Sequence, residues 1–192
     1  MGKQTAFDSQ IPGAEDTGER TETNGEGRVD ANEPALLRFG HACATRPLEW
    51  PPAAHLVLAM RRPRWRTRPV LEAGGQSIPA AGPSDALLNA YLGKAPRGRQ
   101  GALPAIQDIP RLTWEEFAEG YRHEMRTPEG LRVLDEIIEI AQQDPARPLV
   151  VLCWERLDGP NAHAHCHRTV LVELLVERAR ELGFASSDLS KT

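Results

Sequence analysis

Apolar residues along this chain fall into two kinds of run. His55–Met60 (HLVLAM) and Leu149–Leu152 are short, nearly unbroken aliphatic stretches bounded by proline and polar residues. They lack the alternation of a half-exposed strand and read as strands buried on both faces. Ala35–His41 (ALLRFGH) is a third strand with a weaker signal. Elsewhere the apolar residues recur at helical spacing. Ser84 stands as N-cap to a short helix with Leu87, Leu88 and Tyr91 on one side. Thr113 and Glu116 have capping-box spacing and open a helix with Trp114, Phe117, Tyr121 and Met125 inward. Thr127-Pro128 starts the next, with Leu131, Leu134, Ile138 and Ala141 inward and Pro145 and Pro148 ending it. Leu171, Leu175, Ala179 and Leu182 mark a last helix with one core face.

Strands alternating with helices predict an α/β fold: a single three-layer domain with a small, mainly parallel sheet flanked by helices and right-handed crossovers. Three strands are legible, so any other lies hidden in the loops; Gly74–Pro83 reads as loop, and Lys94–Pro110 has no usable period. Residues 1–34 hold eight acidic residues against three basic ones and almost no bulky apolar groups. Such a stretch buries too little apolar surface to offset its ordering entropy, and it reads as a disordered acidic tail. The domain is expected over 35–183, with 184–192 a frayed end. Removing the tail's charge of −5 from the total of −4 leaves about +1 on the remainder. A nearly neutral domain demands no nucleic-acid or membrane partner. The N-terminus shows no apolar h-region, so no signal peptide is expected, and no apolar run approaches the roughly 18 residues that span a bilayer. Its three cysteines, an odd number, suit reduced thiols, and a cytoplasmic location is expected.

Candidate chemistry concentrates between Pro148 and Leu182. Cys153 closes a strand, Glu155 lies just past it, and Cys166-His167-Arg168 opens a helix. Parallel sheets bind ligands outside the carboxyl ends of their strands. A helix start favours an anion, so Cys166 is the candidate nucleophile, with Glu155 or His167 as base. Arg168 has the fork to hold a phosphate or carboxylate there. Cys153, Arg61, Arg64, Ser84 and Tyr121 complete the expected ligand-binding set, and parallel strands bring His41, Cys43 and the arginine cluster to the same edge. A plainer account stands beside this one, in which the thiols are core residues and Arg168 straps strand to helix by pairing with Glu155.

Two further clusters stand out. Cys153, His163, His165, Cys166 and His167 resemble metal ligands, but their spacing forms no knuckle, and no metal is expected. Residues 61–68 carry five arginines around Trp65, a pattern that can track a nucleic-acid backbone while the indole stacks on a base. The near-neutral remainder favours arginines that pair with acids or hold an anion. No dinucleotide fingerprint, phosphate loop, zinc-protease helix motif or nucleophile elbow is present, which argues against a nicotinamide enzyme and identifies no cofactor.

From about Leu56 to Leu175 the chain resembles the domain of unknown function family numbered 488. The resemblance rests on Met60-Arg61-Arg62-Pro63-Arg64, Gly82-Pro83-Ser84-Asp85-Ala86-Leu87-Leu88, Thr113-Trp114-Glu115-Glu116-Phe117 and Tyr121-Arg122-His123-Glu124-Met125. It closes with Leu152-Cys153-Trp154-Glu155 and, eleven residues beyond Glu155, Cys166-His167-Arg168. It implies a small α/β domain and supplies no activity. The connection before Cys166 is longer than the family pattern and adds His163 and His165, which inherit no family role; the acidic front also departs from it.

The function expected is binding of a small anionic ligand, bearing phosphate or carboxylate, at the Cys/Glu/His/Arg site, with thiol-dependent chemistry. The alternative is a non-catalytic module that recognises nucleic acid or a protein through the Arg61–Arg68 loop.

Overall fold

The computed structural model describes residues 35–63, 65–94, 110–155 and 165–191. Leu36–Cys43 (β1), His55–Leu58 (β2), Gln76–Ser77 (β3), Leu149–Cys153 (β4) and Ala185–Asp188 (β5) form one sheet in the order β3-β2-β4-β1-β5. Every pairing is parallel. All five residues of β4 are buried, because the strand is central and covered on both faces; that is why its sequence is unbroken aliphatic.

Two strands escaped the sequence reading. β3 has two exposed residues, and β5 (ASSD) has no bulky apolar group. Both are edge strands held by backbone hydrogen bonds, so neither leaves a hydrophobic signature. The segment after Gly183 is therefore not frayed: Ala185–Asp188 pairs in register with Leu36–Phe39, and the domain runs past 183.

Among the described residues five α-helices accompany the sheet: Arg68–Glu72 (α1), Asp85–Leu92 (α2), Trp114–Met125 (α3), Pro128–Gln142 (α4) and His167–Glu181 (α5). Leu37, Phe39, Val57, Leu149 and Val151 line one sheet face, in a core shared with α3, α4 and α5. Leu56, Leu58, Val150 and Leu152 line the other, against Val70 of α1 and Ala44 and Ala54 of the connection after β1. The three layers are thus unequal, thick on the α5 side and thin on the α1 side.

The helix starts follow their local chemistry. The Thr113 and Glu116 capping box is complete in both directions, and Ser84 and Thr127 each accept a hydrogen bond from the backbone N–H three residues on. Gly130 lets α3 and α4 meet closely, since a Cβ there would lie 2.4 Å from the Glu124 carbonyl oxygen. The expected single core face of α5 needs correction. Val170, Val172, Leu174 and Val176 are buried along with Leu171, Leu175 and Ala179, because the helix contacts β1, β4 and β5 as well as α3 and α4. Leu182, at its C-cap, is 42 % exposed. Trp114 is only half-buried, whereas Phe117, Tyr121 and Met125 of the same face are in the core.

Candidate functional site

The central position of β4 decides where the site lies. Its last residue, Cys153, stands between the ends of β1 and β2, and the chain returns at Cys166 to begin α5 over the same edge. Cys153, Cys166, His167 and Arg168 are all buried, while Glu155 is half-buried. Each of Cys153, Glu155, Cys166 and His167 offers one ligand atom, and these atoms all lie within 4.8 Å of one another.

Backbone and side chains fix that arrangement. His167, the first residue of α5, donates from Nε2 to the carbonyl of Ala59, just beyond β2, at 2.8 Å. With Nε2 carrying that proton, Nδ1 of the neutral ring is left as an acceptor facing both sulfurs. It stands 3.9 Å from Cys153 Sγ and 3.8 Å from Cys166 Sγ. Glu155 Oε2 accepts from both thiols, lying 3.4 Å from Cys166 Sγ. Cys166 is the N-cap of α5 and makes no side-chain capping bond, so its sulfur is directed to this cluster and not to the helix.

The protonation pattern divides the two thiols. Hydrogen bonding from Cys153 lowers the Cys166 pKa to about 6 against the opposing effect of burial, with His167 helping. The same bond to Cys166, together with burial and neighbouring negative charge, pushes Cys153 well up. Burial works against a charged His167, yet hydrogen bonding to Cys166 and its negative charge raise the imidazole on balance. Burial likewise disfavours the Glu155 carboxylate, but bonds from Cys153 and the backbone lower its pKa overall.

Arg168 does not present a free fork. Its Nη1 donates to the carbonyls of Ala42 and Glu155 at 2.8 Å each and of Cys153 at 3.4 Å, tying the ends of β1 and β4 to α5. Its buried Nε has no hydrogen-bond partner among the described residues. The expected ion pair with the Glu155 side chain is replaced by a bond to the Glu155 backbone. Arg168 is a strap whose charge sits beside the cluster.

The remaining expected residues are placed as follows. The Tyr121 ring meets His167 edge-on, with centroids 5.6 Å apart, and its hydroxyl is committed to the Ala81 carbonyl. Burial, then the negative charge of Cys153 and Cys166, pushes its pKa well up. Ser84 caps α2 through its side chain and donates its backbone N–H to Glu124 Oε2. Arg61 donates to the Pro83 carbonyl across the close approach of Gly82, where a Cβ would lie 2.8 Å from Arg61 N. Arg64 and His163 lie outside the described residues. His165 is exposed and stacks on Trp114, with centroids 4.6 Å apart.

Two residues expected at this edge do not join the cluster. Cys43, although level with Cys153 in the sheet, has its Sγ 3.2 Å from Thr45 Oγ1 and 3.6 Å from the Trp154 carbonyl. His41 is lowered by burial and then by the charge of Arg168, and is raised by Asp188 on the β5 side. Sequence reasoning missed Ala59 and Ala81, whose backbone carbonyls orient His167 and Tyr121; no side-chain signal marks such acceptors.

Fold and site together define a parallel α/β domain with a buried thiol, imidazole and carboxylate centre at the carboxyl edge of its sheet. A family model described as the active DUF488-N3 subclade (DUF488-N3a) matches residues 51–179, and the chain belongs to this branch of the family of unknown function numbered 488. No curated protein and no solved structure matches the chain. Among the described residues no helix is long and apolar enough to cross a membrane.

Proposed function

We propose that this domain acts on a small ligand at the Cys153–Glu155–Cys166–His167 centre, with Cys166 as the reacting thiol. One observation carries the reading: four chemically able side chains from two elements converge where parallel sheets bind ligands, and one imidazole nitrogen faces both sulfurs. In this role the Cys166 proton passes to His167 Nδ1 as the sulfur bonds to an electrophilic atom of the ligand, and the bond from that atom to its leaving group breaks, the leaving group taking the proton from His167 as it departs. Glu155, the least buried member, is the group that meets the ligand first. An anionic ligand, carrying phosphate or carboxylate, suits the start of α5 and the charge of the Arg168 strap. The description of the matched subclade as active accords with a reacting centre.

A second reading has its own observation. Trp65 is 79 % exposed, and Arg66 lies over it at 5.2 Å, a pair suited to stacking on a base or an aromatic side chain. A melting experiment on the full chain separates the two. Nucleotides, sugar phosphates and organic acids form one panel, and single-stranded oligonucleotides the other. The small-ligand reading expects a rise of several degrees with one small-molecule class. It also expects Cys166→Ser to abolish turnover or adduct formation with that class while leaving the fold intact. Stabilisation by oligonucleotides alone, or full activity in Cys166→Ser, overturns it.

A further inference from the structure

We infer that Cys153, Glu155, Cys166 and His167 together hold a divalent transition-metal ion, zinc by the nature of the ligands. This goes beyond the spacing of the sequence, which suggested no metal, and rests on where the fold brings the side chains. It takes the same sulfurs and imidazole nitrogen as the proposed function, so the Cys166-to-His167 proton transfer belongs to the metal-free centre, and the inference does not depend on catalysis.

Three observations support it. The first is shape. Four donor atoms at the corners of a tetrahedron with bond lengths of about 2.0–2.3 Å stand about 3.3–3.8 Å apart. Here Cys166 Sγ lies 3.4 Å from Glu155 Oε2 and 3.8 Å from His167 Nδ1, and Cys153 Sγ lies 3.9 Å from the same nitrogen. These three separations are close to the edges of a coordination tetrahedron; the Cys153 Sγ–Glu155 Oε2 pair, at 2.5 Å, is the shorter contact of a thiol donating to a carboxylate, and an ion replacing that proton would widen it. Two sulfurs, one imidazole nitrogen and one carboxylate oxygen are a donor set that zinc accepts.

The second is the outer shell. A metal-bound imidazole usually donates its other ring N–H to a carbonyl or carboxylate, which fixes the ring and its tautomer. His167 Nε2 makes that bond to Ala59 at 2.8 Å, leaving Nδ1 as the free donor atom. The Tyr121 ring, edge-on at 5.6 Å, closes the imidazole's flank. Arg168 fixes the backbone of two of the ligands, Cys153 and Glu155, through their carbonyls.

The third is charge. A carboxylate and two sulfurs packed together in a buried site repel one another as they ionise. A divalent ion binding two thiols releases both protons to solvent and leaves two thiolates, one carboxylate and the ion with a net charge of −1 by formal count. The Arg168 guanidinium beside them, itself 3 % exposed, brings the buried group to neutrality.

The full chain purified without a histidine tag tests this by elemental analysis. About one zinc per chain is expected, falling to near zero after chelation and returning when zinc alone is added. Cobalt added to chelated protein should give thiolate charge-transfer bands in the near ultraviolet and intense tetrahedral d–d bands in the visible. Glu155→Gln should weaken metal retention at least tenfold and alter the cobalt spectrum. Cys43→Ser, outside the cluster, should change neither. Should Cys153→Ser or His167→Ala fail to fold, the wild-type cobalt spectrum still decides. Substoichiometric metal with no thiolate–cobalt bands overturns the inference, as does a Cys153–Cys166 disulfide in metal-free, folded protein. Zinc binding without ligand turnover leaves the inference standing and removes only the proposed function; turnover in protein that is isolated without metal and gives no thiolate–cobalt bands does the reverse.

Discussion

The Cys153–Cys166 centre and the Arg61–Arg68 loop are both rich in reactive or charged residues, and folding treats them in opposite ways. In the first, residues from the end of β4 and the start of α5 turn inward to one point, and the described donor groups face one another. In the second, the described arginines stay at the surface. Arg62 pairs with Asp85 and Arg68 with Glu72, both exposed, while Arg61 reaches the Pro83 carbonyl. Arg66 lies between Trp65 and Trp154, beside an open depression of about 410 Å³ that α1 borders on the thin side of the sheet. A dense local cluster in the sequence became a solvated surface, and a spread-out set became a centre. Convergence in a dry, backbone-anchored place distinguishes them. Groups there feel one another at low dielectric, whereas exposed pairs contribute about 0–1 kcal/mol.

That contrast can be broken at its anchors. Arg168→Met should have the largest effect, since it leaves three strand-end carbonyls without their shared donor. A loss of about 3 kcal/mol is expected, and a fall in Tm on the order of 10 °C. A melting curve unchanged within about 2 °C would show that the strap is not what holds β1 and β4 to α5. Tyr121→Phe should cost about 1–2 kcal/mol by leaving the Ala81 carbonyl unpaired, as read from urea midpoints. It should leave the secondary structure unaltered by circular dichroism. A neutral outcome would mean that the buried hydroxyl is not needed to seat the ring against His167.

The smallest effect should come from the loop. Trp65→Ala combined with Arg66→Ala is expected to change stability by less than about 0.5 kcal/mol and to leave the metal content of the centre unaltered. Strong, salt-sensitive oligonucleotide binding by the wild type, lost in this double variant, would turn the comparison around and make the exposed loop the working surface.

Much of the fold was legible because its causes are local or periodic. The cap residues Ser84, Thr113 and Thr127 act within one helical turn, and β4 could be read from four aliphatic residues between proline and cysteine. The placing of the centre between β4 and α5 followed from the rule for parallel sheets. β3 and β5 were illegible because edge strands are held by backbone bonds that any residue can make. The inward sides of α5 were underestimated because periodicity shows where one core face lies, not how many neighbours a helix will meet.

The order of residues alone determined which chemistries this protein has to hand, namely two thiols, a carboxylate, an imidazole and a guanidinium on either side of one strand-to-helix connection. It also determined that the connection joins a buried strand to a helix. Tertiary structure decided what those groups are to one another. It turned Arg168 from an open fork into a strap on three carbonyls, left Cys43 out, and aimed His167 Nδ1 at both sulfurs through a backbone carbonyl 108 residues away in sequence. Such partners are backbone atoms, alike at every residue, so only the folded chain selects which of them a side chain meets.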